Sequence, residues 1–293
     1  MIENDPINSD KDLMHVTCDL CGSDNYIILF EKDGFKHVEC RKCHLVYVNP
    51  RLKNPSQHQE ALYDNLAVSH GTFDENARYD YSGYRKEKLT KEAASYLPYN
   101  INGRILDVGC SFGGFLKGAA EQGWKYPEGV EIAPQVAAYT SQFFPVQTKP
   151  FEETEYPDHC FDVIRLNNVI EHLSSPKAVI RSVHRKLRSG GLFIIKTPNF
   201  RSLSVSLCRE KWQYIAGFDH IHLFCPKTIT QLLTENGFKI VKIQTKGTHI
   251  TPKDRESRQR SFKSGIKLIE AILDGFIRHT LRGHRLTVWA EKI

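Results

Sequence analysis

From Arg104 onward the sequence alternates between short apolar runs and amphipathic stretches. RILDVG precedes GGFLKGAAEQG, KYPEGVEI precedes PQVAAYTSQFF, and FDVIRL precedes PKAVIRSVHRKLRS. GGLFIIKT, then PKTITQLLTENG with FKIVKIQT, extend the series, and HRLTVWAEK closes it. RILDVG reads as a strand with a nearly continuous apolar run, as expected of a strand covered on both faces. Strands separated by single helices are joined by crossovers, so the pattern predicts an α/β fold with a doubly wound parallel sheet. Composition agrees. With 40% hydrophobic and 25% charged residues, the 293-residue chain is neither disordered nor fibrous nor a disulfide-dense miniprotein.

Ahead of this region lie four of the eight cysteines, as Cys18-x2-Cys21 and Cys40-x2-Cys43. Two such pairs on tight turns converge as a tetrahedral thiolate set suited to zinc. YIILF and FKHVEC between them read as strands joined at Lys32-Asp33-Gly34, which makes a zinc ribbon. Four thiolates complete the metal shell, so the zinc is expected to be structural, contributing much of the stability of a unit too small for a core. His44 is expected on the surface. The domain reading is a ribbon over 1–50, linker and lid helices over 51–100, and a sheet domain over 101–293 with insertions at about 199–225 and 246–282.

The turn Asp107-Val108-Gly109-Cys110-Ser111-Phe112-Gly113-Gly114 falls where the first parallel strand meets its helix. Glycines there let a ligand approach the backbone and the helix N-terminus. Glu131 ends the next strand, where a carboxylate can accept both hydroxyls of an adenosine ribose. The spacing D-x-G-x-x-x-G differs from the G-x-G-x-x-G that suits a dinucleotide pyrophosphate.

Together with Phe161-Asp162-Val163-Ile164, Asn167-Asn168-Val169-Ile170-Glu171-His172-Leu173 and Leu187-Arg188-Ser189-Gly190-Gly191, this series resembles the class I S-adenosylmethionine-dependent methyltransferases. The resemblance runs from about Arg104 to Ile293 and implies a Rossmann-like seven-stranded sheet. It gives Asp107, Gly109 and Gly113 to the amino-acid end of S-adenosylmethionine and Glu131 to its ribose. Ile132 and Phe151 fall beside the adenine, and Asn167 near the methionine part. Ser111 stands where the pattern usually has a second glycine.

The ribbon's ECRKCHLVYVNPR, then Asn199-Phe200-Arg201-Ser202-Leu203 and His220-Ile221-His222-Leu223-Phe224-Cys225-Pro226, look like the zinc-ribbon methyltransferases of sugar and polysaccharide biosynthesis. That resemblance implies a small-molecule acceptor such as a sugar or glycan precursor. An alcohol or acidic C–H acceptor needs a base. His172 is the first candidate, with Glu171 orienting it or binding substrate, and His220 is a second base or binder. His220 and His222 alternate along an extended segment, so they should face opposite ways. Trp212, Tyr214 and Phe218 form either a stacking lid or a satellite apolar cluster. The same choice applies to Tyr79, Tyr81 and Tyr84.

Charge is uneven. Residues 239–293 hold 13 Lys+Arg against 5 Asp+Glu, in a chain of net charge +6. Phe262, Ile266, Ile269, Leu273, Phe276 and Ile277 recur at helical spacing, so 262–282 reads as a helix packed on its own domain, with peripheral membrane contact as the sharper alternative and dimerisation as a third. The acidic, polar start and the want of a long apolar run lead to an expected cytoplasmic location. Methylation of a lipid-linked or quinone-like phenol and a nucleic-acid-binding or RNA-modifying role are the competing functions. The ribbon is not strongly basic and shows no aromatic–basic interleaving, so no nucleic-acid partner is expected. Oligomeric state and the atom methylated stay open.

Overall fold

The computed structural model describes residues 13–54, 81–215, 217–247, 275, 277 and 279–293. The N-terminal part is a ribbon of short strands: β1 (Leu13–Met14), β2 (Tyr26–Lys32), β3 (Phe35–Cys40), β4 (Val46–Val48) and β5 (Arg51–Leu52). Asp33 and Gly34 at φ +52° and +78° make the tight turn between β2 and β3, the left-handed pair that matches strand twist in a two-residue hairpin. Helix α1 (Gly83–Ala94) follows and ends shortly before Pro98. Tyr79 and the part of the expected lid helices over 55–80 lie outside the described residues.

The sheet domain continues with β6 (Arg104–Val108), α2 (Gly114–Glu121), β7 (Tyr126–Val130), α3 (Pro134–Thr140), β8 (Val146–Gln147) and β9 (Phe161–Asn167). After a single 3-10 turn at Ile170–His172 come α4 (Pro176–Lys186), β10 (Leu187–Pro198), α5 (Leu203–Cys208), β11 (His222–Leu223), α6 (Pro226–Thr234), β12 (Phe238–Lys246) and β13 (Arg285–Lys292). Seven strands form one sheet in the order β12-β13-β10-β9-β6-β7-β8. Pairing is parallel except for β13, which is antiparallel to both β10 and β12. The α/β fold class and seven-stranded sheet are as expected. β8 is only two residues long, too short for a periodicity to announce it.

Leu106, Val108, Ile164, Leu166, Phe193 and Ile195 face one side, in one apolar cluster with Leu20, Leu45 and Tyr47 of the ribbon. Ile105, Val163, Leu192 and Ile194 face the other, against Ala93 and Tyr96 at the end of α1 and Phe115 and Leu116 of α2. The ribbon is therefore part of the main core. It gains apolar burial that so small a unit could not supply itself.

The ribbon is also tied on by hydrogen bonds. β11, from far along the chain, pairs with β4 and completes a four-stranded sheet of order β11-β4-β3-β2. Asp19, between the first two cysteines, accepts from the Ser175 hydroxyl at 2.7 Å and the Lys177 N–H at 2.8 Å, capping α4. The Arg51 guanidinium donates to the Ser174 carbonyl at 2.8 Å.

Under α1 lies a charge cluster that no local motif predicted. Arg165 of β9 donates to Asp107 at 2.5 Å and to Glu92 at 2.7 Å, and Lys196 of β10 also donates to Glu92. Burial alone would raise Glu92, but Arg165 and Lys196 hold it down at about 2. Burial lowers Lys196 to about 8 despite Glu92. Paired this way, the charges fix α1 across β6, β9 and β10. A buried charge stripped of its partner would cost several kcal/mol.

Of the expected helix over 262–282, only 275, 277 and 279–282 fall within the described residues, with Ile277 fully buried. Among the described residues, no helix is long and apolar enough to cross a membrane.

Candidate active site

The glycine turn leaves β6 with Gly109 at φ +72° and enters α2 with Gly113 at φ +75°. A Cβ on Gly109 would lie 2.5 Å from Val169 Cγ2, and one on Gly113 2.9 Å from Thr140 Cγ2. Both positions therefore need glycine for backbone conformation and for space. Ser111, at the departure from the family pattern, is also left-handed at φ +49°. Its strain is offset locally. The Ser111 N–H donates to Glu131 Oε2 at 2.9 Å, and its carbonyl accepts from Thr140 Oγ1 at 2.7 Å.

Glu131 is therefore a positioned carboxylate, not a loose strand end. Besides Ser111, the Ala133 N–H donates to its Oε1 at 3.1 Å, and the side chain is buried. Carboxylate oxygens accept more than one hydrogen bond each, so this group can hold a diol against the turn. Ile132 is half-buried beside it. Asn167 ends β9, also half-buried.

Two expected cofactor residues have pronounced structural engagements. Asp107 is buried in the ion pair with Arg165. Phe151 lies in the main apolar cluster, with Lys186 Nζ 4.7 Å from its ring centroid.

The candidate chemistry gathers beyond the end of β9. Glu171, His172 and His220 each bring a side-chain donor or acceptor atom to within 4.8 Å of the others. The rings of His172 and His220 meet edge to face with centroids 4.6 Å apart. Glu171 is fully buried. Its Oε2 accepts from the Thr197 hydroxyl at 2.9 Å, and its Oε1 has no hydrogen-bond partner. Burial pushes its carboxyl above the usual range, against the opposing pull of His172.

Sequence reading missed Asp219. Its side chain and its backbone carbonyl both lie 2.9 Å from His172 Nδ1. Burial would lower the His172 pKa, but Asp219 and Glu171 raise it above that of an ordinary histidine. The second histidine behaves oppositely. Burial, reinforced by His172, lowers His220 to about 4. The cluster thus offers one imidazole suited to take a proton and one that stays neutral beside it.

The remaining expectations sort clearly. His222 is buried and stacks on Phe224 at 6.1 Å, whereas His220 meets the rings of His172 and Tyr214. Trp212 is 1% exposed in an apolar cluster with Val46, Ile215 and Leu223, so it belongs to a satellite core rather than a lid. Tyr214 is half-buried and stacks on His220 at 6.1 Å. Phe218 packs on Phe35 and Ile221 in another small cluster. Tyr84 is exposed, and Tyr81 lies against Lys86 and Lys117. His44 is on the surface as expected, beside Glu39.

At the ribbon's metal-type site, the four sulfur atoms of Cys18, Cys21, Cys40 and Cys43 all lie within 4.8 Å of one another. Sγ–Sγ separations are 3.4 Å for Cys18–Cys43 and 3.5 Å for Cys21–Cys40. A tetrahedron with Zn–S bonds of about 2.3 Å has edges slightly longer than these. The donor set fits zinc with a small outward adjustment.

Comparison with known proteins places this geometry in context. A methyltransferase-domain family profile matches residues 73–243. Ajmaline N-methyltransferase of Rauvolfia serpentina is 28% identical over 66% of this chain and 75% of its own length. The mitochondrial ubiquinone biosynthesis O-methyltransferase of Mus musculus is 27% identical over 53% of this chain, which spans only 47% of that relative. A SAM-dependent methyltransferase from Archaeoglobus fulgidus shares the fold, with a TM-score of 0.53 at 20% identity over 76% of this chain and 100% of its own.

Proposed function

This chain belongs to the methyltransferase-domain family and is an S-adenosylmethionine-dependent enzyme, and from that premise we propose that it methylates a small-molecule acceptor, a sugar or glycan precursor, with His172 as base. The observation that carries the assignment of base is the chemical asymmetry of the histidine pair. His172 is held by a carboxylate that favours its protonated form, whereas His220 is kept neutral.

When bound, S-adenosylmethionine would supply an electrophilic methyl group activated by its sulfonium. Gly109 and Gly113 open the backbone to its amino-acid end, with Asp107 and Asn167 at the adjoining strand ends. Glu131 would accept from its ribose hydroxyls, with Ile132 and Phe151 on the adenine side. His172 removes the acceptor's proton as the acceptor attacks. Glu171, whose Oε1 lacks a partner in a buried setting, takes a hydrogen bond from an acceptor hydroxyl. This unmet capacity supports a hydroxyl-rich acceptor, because a buried polar atom is costly until paired. His220 and Tyr214 wall the acceptor side. Cys18, Cys21, Cys40 and Cys43 would hold zinc, which stabilises the ribbon and leaves no coordination position for substrate.

The related ubiquinone O-methyltransferase gives the second reading, a quinone-like phenol acceptor. Mass spectrometry on reactions with methyl-labelled S-adenosylmethionine and two acceptor panels, nucleotide-linked sugars and catechols, separates the two. Label is expected on a sugar. Label on catechols alone contradicts the sugar assignment, and S-adenosylhomocysteine formation with neither panel leaves it without support.

A further inference from the structure

We infer that Asp219 is the positioning residue for His172, and that the ribbon sheet holds it in place. The inference rests on the assignment of His172 as base but adds the group that sets its tautomer and basicity. Both Asp219 atoms near His172 Nδ1, a carboxylate oxygen and a carbonyl oxygen at 2.9 Å, are acceptors. Neither can donate, so in the neutral ring Nδ1 carries the hydrogen and Nε2 the lone pair. His172 is thereby fixed as a base through Nε2. The proton it gains from the acceptor gives an imidazolium, whose charge the Asp219 carboxylate compensates. Charged and titratable groups facing His172 include Glu171 on its own turn and Asp219 and His220 on the opposing segment.

The two members of this dyad come from different parts of the fold. His172 ends the 3-10 turn that follows β9 of the main sheet. Asp219 lies on the segment that enters β11, the fourth strand of the ribbon sheet. The Val48 N–H donates to the Ile221 carbonyl at 3.0 Å, and His222 pairs with Tyr47. Gly217 packs so closely that a Cβ there would lie 2.5 Å from Phe35 and 2.8 Å from the Lys32 carbonyl. Contacts with β2, β3 and β4 therefore bracket Asp219 on both sides. The ribbon brings the carboxylate to the base that the main sheet presents.

The test is the Asp219→Asn variant of the full chain, checked for metal content and S-adenosylhomocysteine affinity so that a folding defect is visible. Asparagine keeps the size but loses the charge, and its amide can turn an N–H toward Nδ1, favouring the wrong tautomer. The expected result is a kcat about tenfold to a hundredfold lower, with KM little changed. The acid limb of kcat/KM moves to lower pH by at least about one unit, because the imidazolium loses its compensating charge. Asp219→Glu should recover part of the rate and shift the limb back. In ¹H–¹⁵N spectra, His172 should show the Nδ1–H tautomer in the parent protein and a lower pKa in the variant. An unchanged acid limb and unchanged His172 titration in a folded Asp219→Asn protein overturn the inference while leaving His172 as base. Loss of the His172 requirement itself would instead overturn the reading beneath it. A variant that fails to fold leaves the parent protein's tautomer, read above the His172 pKa where the ring is neutral, as the deciding readout, and protonation on Nε2 rather than Nδ1 there contradicts the inference.

Discussion

His172→Ala is expected to lower methyl transfer by about two to four orders of magnitude, the range supplied by a positioned base, with S-adenosylhomocysteine affinity kept within about threefold of the parent protein (well under one charge-assisted hydrogen bond). The separation follows from where the groups sit. Glu131 and the turn at 109–113 are organised by Val130, Ala133 and Thr140, and none of those contacts passes through His172. The sign with pH is equally fixed. His172 acts only when unprotonated and its pKa lies above the ordinary histidine value, so kcat/KM should be low in acid and rise through that pKa to a plateau. Single-turnover rates across pH, with titration calorimetry on the same variant, provide the measurement. Full turnover by His172→Ala across the pH range would remove His172 from the chemistry and transfer the question to Glu171.

The second large effect concerns the metal. Cys18→Ser, which removes one thiolate from the set, is expected to release zinc and lower stability by several kcal/mol (structural zinc sites supply about 10–16 kcal/mol in isolated fingers). The damage should reach the active site. The ribbon contributes Leu20, Leu45 and Tyr47 to the main apolar cluster, caps α4 through Asp19, and pairs with β11 next to Asp219. Turnover should therefore fall together with metal content. Cofactor affinity should fall less, because Glu131 and the glycine turn make none of these ribbon contacts. Elemental analysis, thermal denaturation and turnover on one preparation test this. A zinc-free variant with the parent's melting temperature and rate would reduce the ribbon to a dispensable appendage.

Much of the fold was legible because its signals are local. Mainly apolar runs such as Leu192–Ile195 mark strands covered on both faces, and Pro134, Pro176 and Pro226 stand at the first positions of α3, α4 and α6. Gly109 and Gly113 announced a turn whose steric need the structure bears out. The spacing of the four cysteines foretold their convergence.

What escaped the sequence is assembled from distant positions. Glu92, Asp107, Arg165 and Lys196 meet from four elements, and each alone reads as an ordinary charge. Asp219 is one acidic residue in a loop, 47 positions from the histidine it contacts. The pairing of β11 with β4 joins segments more than 170 residues apart, so the ribbon looked separate in the sequence and is continuous with the core in the structure. Ser111 illustrates a third kind of difficulty. A non-glycine residue takes a left-handed backbone there because Glu131 and Thr140 hold it, and both partners lie outside the turn.

The central claim is that the turn at 109–113 and the Glu131 carboxylate form a nucleoside pocket for S-adenosylmethionine. Titration calorimetry of the zinc-loaded protein with S-adenosylhomocysteine, beside its Glu131→Ala variant, addresses it most directly. The pocket predicts one-to-one binding that weakens by at least about tenfold in the variant, as loss of charge-assisted hydrogen bonds to the ribose requires. Equal affinity in both proteins, or heat from NAD with none from S-adenosylhomocysteine, would contradict it.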